Sequence, residues 1–130
     1  MSQSPNTPSP KPEPVNVAQK FSTFNEHWSP KIVGELNGQY VKIARLKGEF
    51  VMHQHEEEDE MFLVLEGILK MQLEDRLLTI ETGEFVIIPR KTMHQPIADE
   101  EVKIMLFEPQ STLNTGNTEN EFTQRDLDKI

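Results

Sequence analysis

Cysteine is absent from the 130 residues, so neither a disulfide nor a thiolate metal ligand is available. Long apolar runs are absent as well, and none approaches the roughly 18 residues that would cross a bilayer as a helix. The start of the chain lacks the basic-then-apolar pattern of a secretory signal, which leaves the cytoplasm as the default expectation. Positive charge is in short supply: 13 Lys and Arg stand against 22 Asp and Glu, for a net charge of −9. The basic residues are scattered and form no stripe. Such an acidic exterior repels phosphates and anionic lipid surfaces, so no nucleic-acid partner and no membrane partner is expected. No long stretch of helical periodicity is present either.

What is present falls into three parts. Residues 1–14 hold five of the nine prolines and no periodic apolar residues, which predicts a disordered tail unable to offset its ordering entropy. Residues 15–110 carry the core, opened by an arm in which Val17, Ala18, Phe21 and Phe24 recur at helical spacing. His27 and Trp28 end the arm, His27 as a structural residue and Trp28 as a packing anchor. Residues 111–130 form a polar C-terminal tail with a turn at 114–117 and Phe122, Leu127 and Ile130 as loose anchors. Between them, short apolar segments alternate with turns. Lys31–Leu36, Asn37–Gly38 and Gln39–Leu46 read as a hairpin, because Asn-Gly tolerates the positive φ of a tight turn. Further strands are expected over Phe50–His55, Met61–Leu65, Ile68–Leu73, Leu77–Ile80, Phe85–Ile88 and Val102–Phe107. Many short strands at even spacing predict a closed or sandwiched all-β fold.

Three of the four histidines and one carboxylate fall in two short segments within this pattern. His53 and His55 are two residues apart, so on a strand they share a face. Glu60 opens the next apolar run, and His94 ends a third, after Gly83. An HxH pair alone is common by chance, and the acidic run from Glu56 to Glu60 reads equally as a solvated loop. Three imidazoles and a carboxylate converging from a sheet, however, suit a divalent transition metal.

The joint spacing resembles the two motifs of the cupin superfamily. The first motif runs G-x5-HxH-x3,4-E-x6-G. Here it is Gly48, four residues rather than five, His53-Gln54-His55, four residues, Glu60, six residues and Gly67. The second runs G-x5-PxG-x2-H-x3-N, and Gly83, Pro89 and His94 match it. Lys91 stands in place of its second glycine and Ala98 in place of its asparagine. Neither position is a metal ligand in the family, but Lys91 suggests a slightly different turn before His94. The resemblance covers roughly residues 30–110. It implies a small antiparallel double-stranded β-helix, or jelly-roll barrel, similar to the phosphomannose isomerase-like stand-alone cupins. It also implies one divalent metal per subunit (Fe, Mn, Ni, Co or Zn) held by His53, His55, Glu60 and His94.

Four protein ligands leave about two positions of an octahedral shell open, which suits a small-molecule ligand or a substrate with dioxygen. A closed four-coordinate zinc is the structural alternative. Cavity walls are expected from Val51, Phe62, Val64, Ile88 and Met105, with Met52 and Met93 on the opposite face. Arg90 and Lys91 read either as receivers of a carboxylate at the barrel mouth or as solvated loop charges. The resemblance leaves three functions in view: a metal-dependent oxygenase, a non-enzymatic binding or sensing module, and a sugar-phosphate isomerase-like enzyme. The last lacks a visible phosphate clamp, since only four arginines exist and they do not cluster. Apolar residues on both faces of the 61–65 segment predict a homodimer.

Overall fold

The computed structural model describes residues 11–130. The first ten residues of the proline-rich segment lie outside them. One short helix, α1 (Val17–Phe21), precedes seven strands. These are β1 (Lys31–Leu36), β2 (Gln39–Glu49), β3 (Glu60–Glu66), β4 (Ile68–Leu73), β5 (Leu77–Glu81), β6 (Phe85–Ile88) and β7 (His94–Pro109). Every strand pairing is antiparallel. The fold is the all-β jelly-roll barrel.

The organising element is β7. Its C-terminal half pairs with β2 on one side and β3 on the other, through registers such as Ile43↔Met105 and Phe62↔Leu106. Its N-terminal end pairs with β4, from Leu73↔His94 to Lys70↔Ile97. Register shifts between Leu46 and Gly48 on β2, and between Val64 and Glu66 on β3, bend the ladders where the one long strand passes from its pairing with β3 toward its pairing with β4.

Alternation along the strands sorts side chains to two faces. The inward set, including Ala44, Leu46, Phe62, Val64, Leu69, Met71, Ile88, Ile104 and Leu106, fills the barrel. The outward set on the opposite face, including Ile43, Leu65 and Met105, packs under the N-terminal arm through Phe21 and Phe24. The arm is tied down by Arg45, whose guanidinium donates to the carbonyls of Phe24 (3.0 Å) and Phe21 (2.9 Å) and to Glu101 (2.8 Å). His27 meets the same Glu101 at 2.7 Å, a structural contact away from the other three histidines.

Two sequence expectations need correction. Phe50–His55 is not a strand, because its only ladder contact is an isolated bridge between His53 and His94. The segment instead spends its backbone groups on several neighbours. Phe50 N–H donates to Pro96, His55 accepts from Lys91 (2.7 Å), and Gln54 accepts from Asn117 (3.2 Å). The closing strand, in turn, starts eight residues earlier than Val102, at His94 itself. His94 therefore opens a strand rather than ending the one before it.

Candidate metal centre

The structure brings His53, His55, Glu60 and His94 together. All four are buried, and one candidate ligand atom from each lies within 4.8 Å of the others. His53 and His94 face each other across their bridge with ring centroids 4.3 Å apart. Two residues along the chain, His55 brings its ring centroid 5.0 Å from that of His53. Glu60, the first residue of β3, aims its Oε1 at His55 Nε2 (2.9 Å) and His94 Nε2 (3.1 Å).

Hydrogen bonds set the tautomers. His53 Nδ1 lies 2.9 Å from the Val51 carbonyl, and His94 Nδ1 lies 2.8 Å from the Thr92 carbonyl. A carbonyl can only accept, so each Nδ1 carries its proton and each Nε2 presents a lone pair. This is the outer support that metal-ligating histidines ordinarily have. His55 is buried with neither ring nitrogen in a hydrogen bond, since its approach to Glu60 has the distance but not the angle of one. A buried imidazole without partners is costly unless something else binds it. The donor set therefore fits a divalent cation on this chain's own chemistry.

Electrostatics agree. Burial, reinforced by the neighbouring His94, pushes the His53 pKa down to about 4, so its ring is neutral at physiological pH. Burial pushes Glu60 up, but the close approach of His55 first, then of His94 and Glu108, outweighs it and holds the carboxyl well below its usual range. Three neutral imidazoles and one carboxylate around a divalent ion leave a net charge near +1.

The remaining acidic run stays out. Glu56, Glu57 and Asp59 are exposed and Glu58 is half-buried. Asp59 accepts from the Arg90 backbone N–H (2.9 Å) and pairs with its guanidinium, and Glu58 accepts from Ser111 (2.7 Å). Arg90 is thereby a loop charge with a partner. Lys91 is exposed and adopts φ 64°, the left-handed conformation that the motif's glycine would favour, so the turn survives the substitution.

Beside the four residues lies a mostly apolar cavity within the barrel. About 40 Å³ of it is open to the centre of a water molecule, enough for a few waters or a small chemical group. Phe62 lines it as expected. Met105 does not: it pairs with Leu63 on β3 and faces outward into the arm's cluster, and its neighbours Ile104 and Leu106 take the wall instead. Val51 is half-buried and lies outside the wall, whereas Val64 and Ile88 sit in the barrel core.

Two groups of lining residues were not anticipated. Trp28 and Phe50 stack at 4.7 Å on one side of the cavity, with Phe122 of the C-terminal tail 5.1 Å from Phe50. Glu108, paired with Lys42 at 2.8 Å, lines the cavity with Glu60. The parity of Leu106 and Ala44 placed Glu108 and Lys42 on the inward face, and that was the available signal. The tail itself reaches the cavity, where Asn114 forms part of the lining. Its turn at 114–117 packs on Gln54, and its last residues bridge Ile32, with Ile130 N–H donating to the Ile32 carbonyl at 3.0 Å.

Residues 41–108 match the cupin domain family. The chain belongs to that family. Among solved structures it is similar to a cupin-2 domain protein from Shewanella frigidimarina, with 44% identity and a TM-score of 0.73, covering 74% of this chain and 94% of that one. Protein NMB1881 from Neisseria meningitidis follows the same fold at 25% identity and a TM-score of 0.69, covering 75% of this cupin and all of that chain. The uncharacterised protein YdbB of Bacillus subtilis is 33% identical over 80 residues, which span 61% of this cupin and 65% of YdbB. Among the described residues, no helix is long and apolar enough to cross a membrane.

Proposed function

We propose that this cupin binds one divalent transition metal through His53, His55, Glu60 and His94 and acts as an oxygenase on a small, largely apolar molecule. The supporting observation is the convergence of Nε2 lone pairs and a carboxylate beside a mostly apolar, aromatic-walled cavity. A bound metal would supply Lewis acidity and open positions for a small ligand and dioxygen. The chain supplies the rest. Val51 and Thr92 hold two rings in the coordinating tautomer, Phe62, Ile104 and Leu106 exclude water, and Trp28 with Phe50 offers a flat surface to an unsaturated ligand. No arginine lines the cavity, which weighs against a phosphosugar substrate.

Metal uptake by the purified protein from Fe, Mn, Ni, Co and Zn solutions, followed by dioxygen consumption against a panel of small unsaturated compounds, tests the reading. Failure to take up about one equivalent of any ion overturns it. Uptake and ligand binding without dioxygen consumption would favour a binding or sensing module instead.

The cupin is further proposed to work as a homodimer in the cytoplasm. The outer face of β3 and β6 carries Met61, Leu63, Phe85 and Ile87 in paired register, and Phe85 and Ile87 are 59% and 56% exposed. A row of this kind at a sheet edge is a surface that a second copy would cover. Sedimentation should give about twice 15.0 kDa, and Phe85→Glu with Ile87→Glu should return the monomer. A monomeric parent at micromolar concentration would sink the dimer.

A further inference from the structure

Away from the metal centre, the sheet and the C-terminal tail enclose a second cleft of about 420 Å³. It lies between β1 and β2 on one side and the segments 110–113 and 124–129 on the other. None of its lining residues is a candidate metal ligand or lines the apolar cavity. Its walls are tied in place. Ile32 N–H donates to the Asp128 carbonyl (2.9 Å), Ile130 N–H donates to the Ile32 carbonyl (3.0 Å), and Gln124 N–H donates to Asn114 Oδ1 (2.9 Å). A preformed concavity of this size, partly apolar with a few converging polar groups, is the usual form of a small-molecule site.

The charge of this cleft runs against that of the chain. Lys42, Arg125 and Lys129 line it with a single acid, Asp126, on a protein of net charge −9. Arg125 and Lys129 are exposed, and Arg125 is paired with Glu119. Lys42 is different, with a side chain only 2% exposed. Its ammonium carries three N–H donors. One goes to Glu108 Oε1 at 2.8 Å, and among the described residues no other acceptor lies within reach. Thr112 Oγ1 is likewise buried without a hydrogen-bond partner. Buried donors left unused cost free energy that an oxygen acceptor in the cleft would recover. The Tyr40 ring centroid lies 5.8 Å from Lys42 Nζ and 5.9 Å from Lys129 Nζ, and Ile32, Leu113 and Leu127 supply apolar wall.

We propose that this cleft is a second binding site of the protein, for a small organic anion. Lys42 and Thr112 donate to its carboxylate or phosphate head, and Lys42 has donors enough for Glu108 and the ligand together. Arg125 and Lys129 add attraction at the rim, and Ile32, Leu113 and Leu127 cover an apolar body. The inference does not rest on the metal-binding reading, because it uses none of the four candidate ligands.

The test is a titration of the metal-free protein in chloride buffer with benzoate, phenyl phosphate and inorganic phosphate, followed by amide chemical shifts. One of the two aromatic anions should bind with a Kd of about 1 mM or tighter, and the tighter of them identifies the head group. Inorganic phosphate has no apolar body and should bind at least about tenfold more weakly. Shifts should centre on Tyr40, Thr112, Leu113 and Leu127 and leave His53 and His94 in place. Thr112→Val should weaken binding about tenfold and Thr112→Ser should restore it, because a hydrogen bond to a charged group is lost and regained. Lys129→Gln with Arg125→Gln should weaken it a few-fold at low salt, with the difference fading at high salt. If Thr112→Val fails to fold, this rim pair carries the test, since both positions are exposed. No saturable shift from either aromatic anion at roughly tens of millimolar would overturn the inference. So would shifts spread over scattered surface lysines, parent-like affinity in Thr112→Val or in the rim pair, or inorganic phosphate binding as tightly as the aromatic anions.

Discussion

At Gly116 the C-terminal tail packs directly against Gln54, between His53 and His55. The φ of Gly116 is 60°, and a Cβ added there would lie 2.0 Å from the Gln54 carbonyl oxygen and 3.3 Å from His53 Cδ2. Gln54 stands between two of the candidate ligands. In Gly116→Ala, the left-handed conformation costs about 1–2 kcal/mol for a residue with a Cβ. The clash then forces backbone from backbone by about 1 Å, judged against the closest approach that real Cβ atoms show. That separation breaks the hydrogen bond from Asn117 N–H to Gln54 O, worth about 0.5–1.5 kcal/mol. The sum is about 1.5–3.5 kcal/mol, or roughly a 10 °C loss in Tm for a domain of this size. The tail relieves the strain by lifting away, which uncovers Phe122 and the buried Thr115. Thermal unfolding should show the loss. Amide exchange should speed up over residues 111–125 while β2 and β7 stay protected. Metal affinity should fall because the loop between His53 and His55 has moved. A variant with parent-like Tm and parent-like exchange in the tail would refute the reasoning, since nothing else in the surroundings can absorb a 2.0 Å contact.

Charge substitutions in the acidic run should separate cleanly: Glu57→Gln and Glu58→Gln leave metal content unchanged, whereas Glu60→Gln lowers it, as measured by elemental analysis. The metal-free protein should lose stability on acidification. Because the His53 pKa falls from 6.5 to about 4 on folding, the unfolded chain takes up a proton in this window that the folded one refuses. Stability is whole above pH 6.5, declines as pH falls through the window, and levels off below 4, for about 3 kcal/mol from this group; denaturant melts across pH 4–7 read it, and a flat profile with a normally titrating His53 ring by NMR would contradict it. At Lys91, whose φ is 64°, glycine should be tolerated and valine should cost about 1–3 kcal/mol in thermal melts, because a β-branched residue fits that conformation poorly. Equal effects of the two replacements would rule out the left-handed turn.

Local pattern carried much of the fold. The Asn37–Gly38 hairpin and the strands β1 to β6 follow from alternation and turn chemistry, each a property of a few adjacent residues. The four converging side chains were legible because their spacing, not any one residue, is distinctive. What escaped was set by partners distant in sequence. Phe50–His55 has the composition of a strand, but β7, the tail and Lys91 divide its backbone groups among them, and no local signal says so. Met105 and Ile104 look alike as wall candidates, and only the register Leu63↔Met105 sends Met105 outward. Lys42 and Glu108 lie 66 residues apart, so their pairing appears only when β2 and β7 are aligned. The docking of the polar tail beside the cavity depends on single contacts, Phe122 on Phe50 and Gly116 on Gln54, which composition does not reveal.

Trp28 gives the molecule a reporter already in place. It is the one tryptophan of the chain, its indole N–H is anchored to the Lys47 carbonyl at 2.8 Å, and its ring stacks on Phe50, which in turn meets His53 edge-on at 5.5 Å. Phe122 of the tail tilts against the same indole at 6.2 Å. Excited selectively at the red edge of its absorption, beyond that of Tyr40, the indole is a single fluorophore that touches the arm, the cavity and the tail at once. A shift in wavelength records the tail leaving, since the ring then meets water, and a loss of intensity without a shift records a paramagnetic ion arriving nearby. The release of the tail and the filling of the centre can thus be followed separately, in one cuvette and without a label.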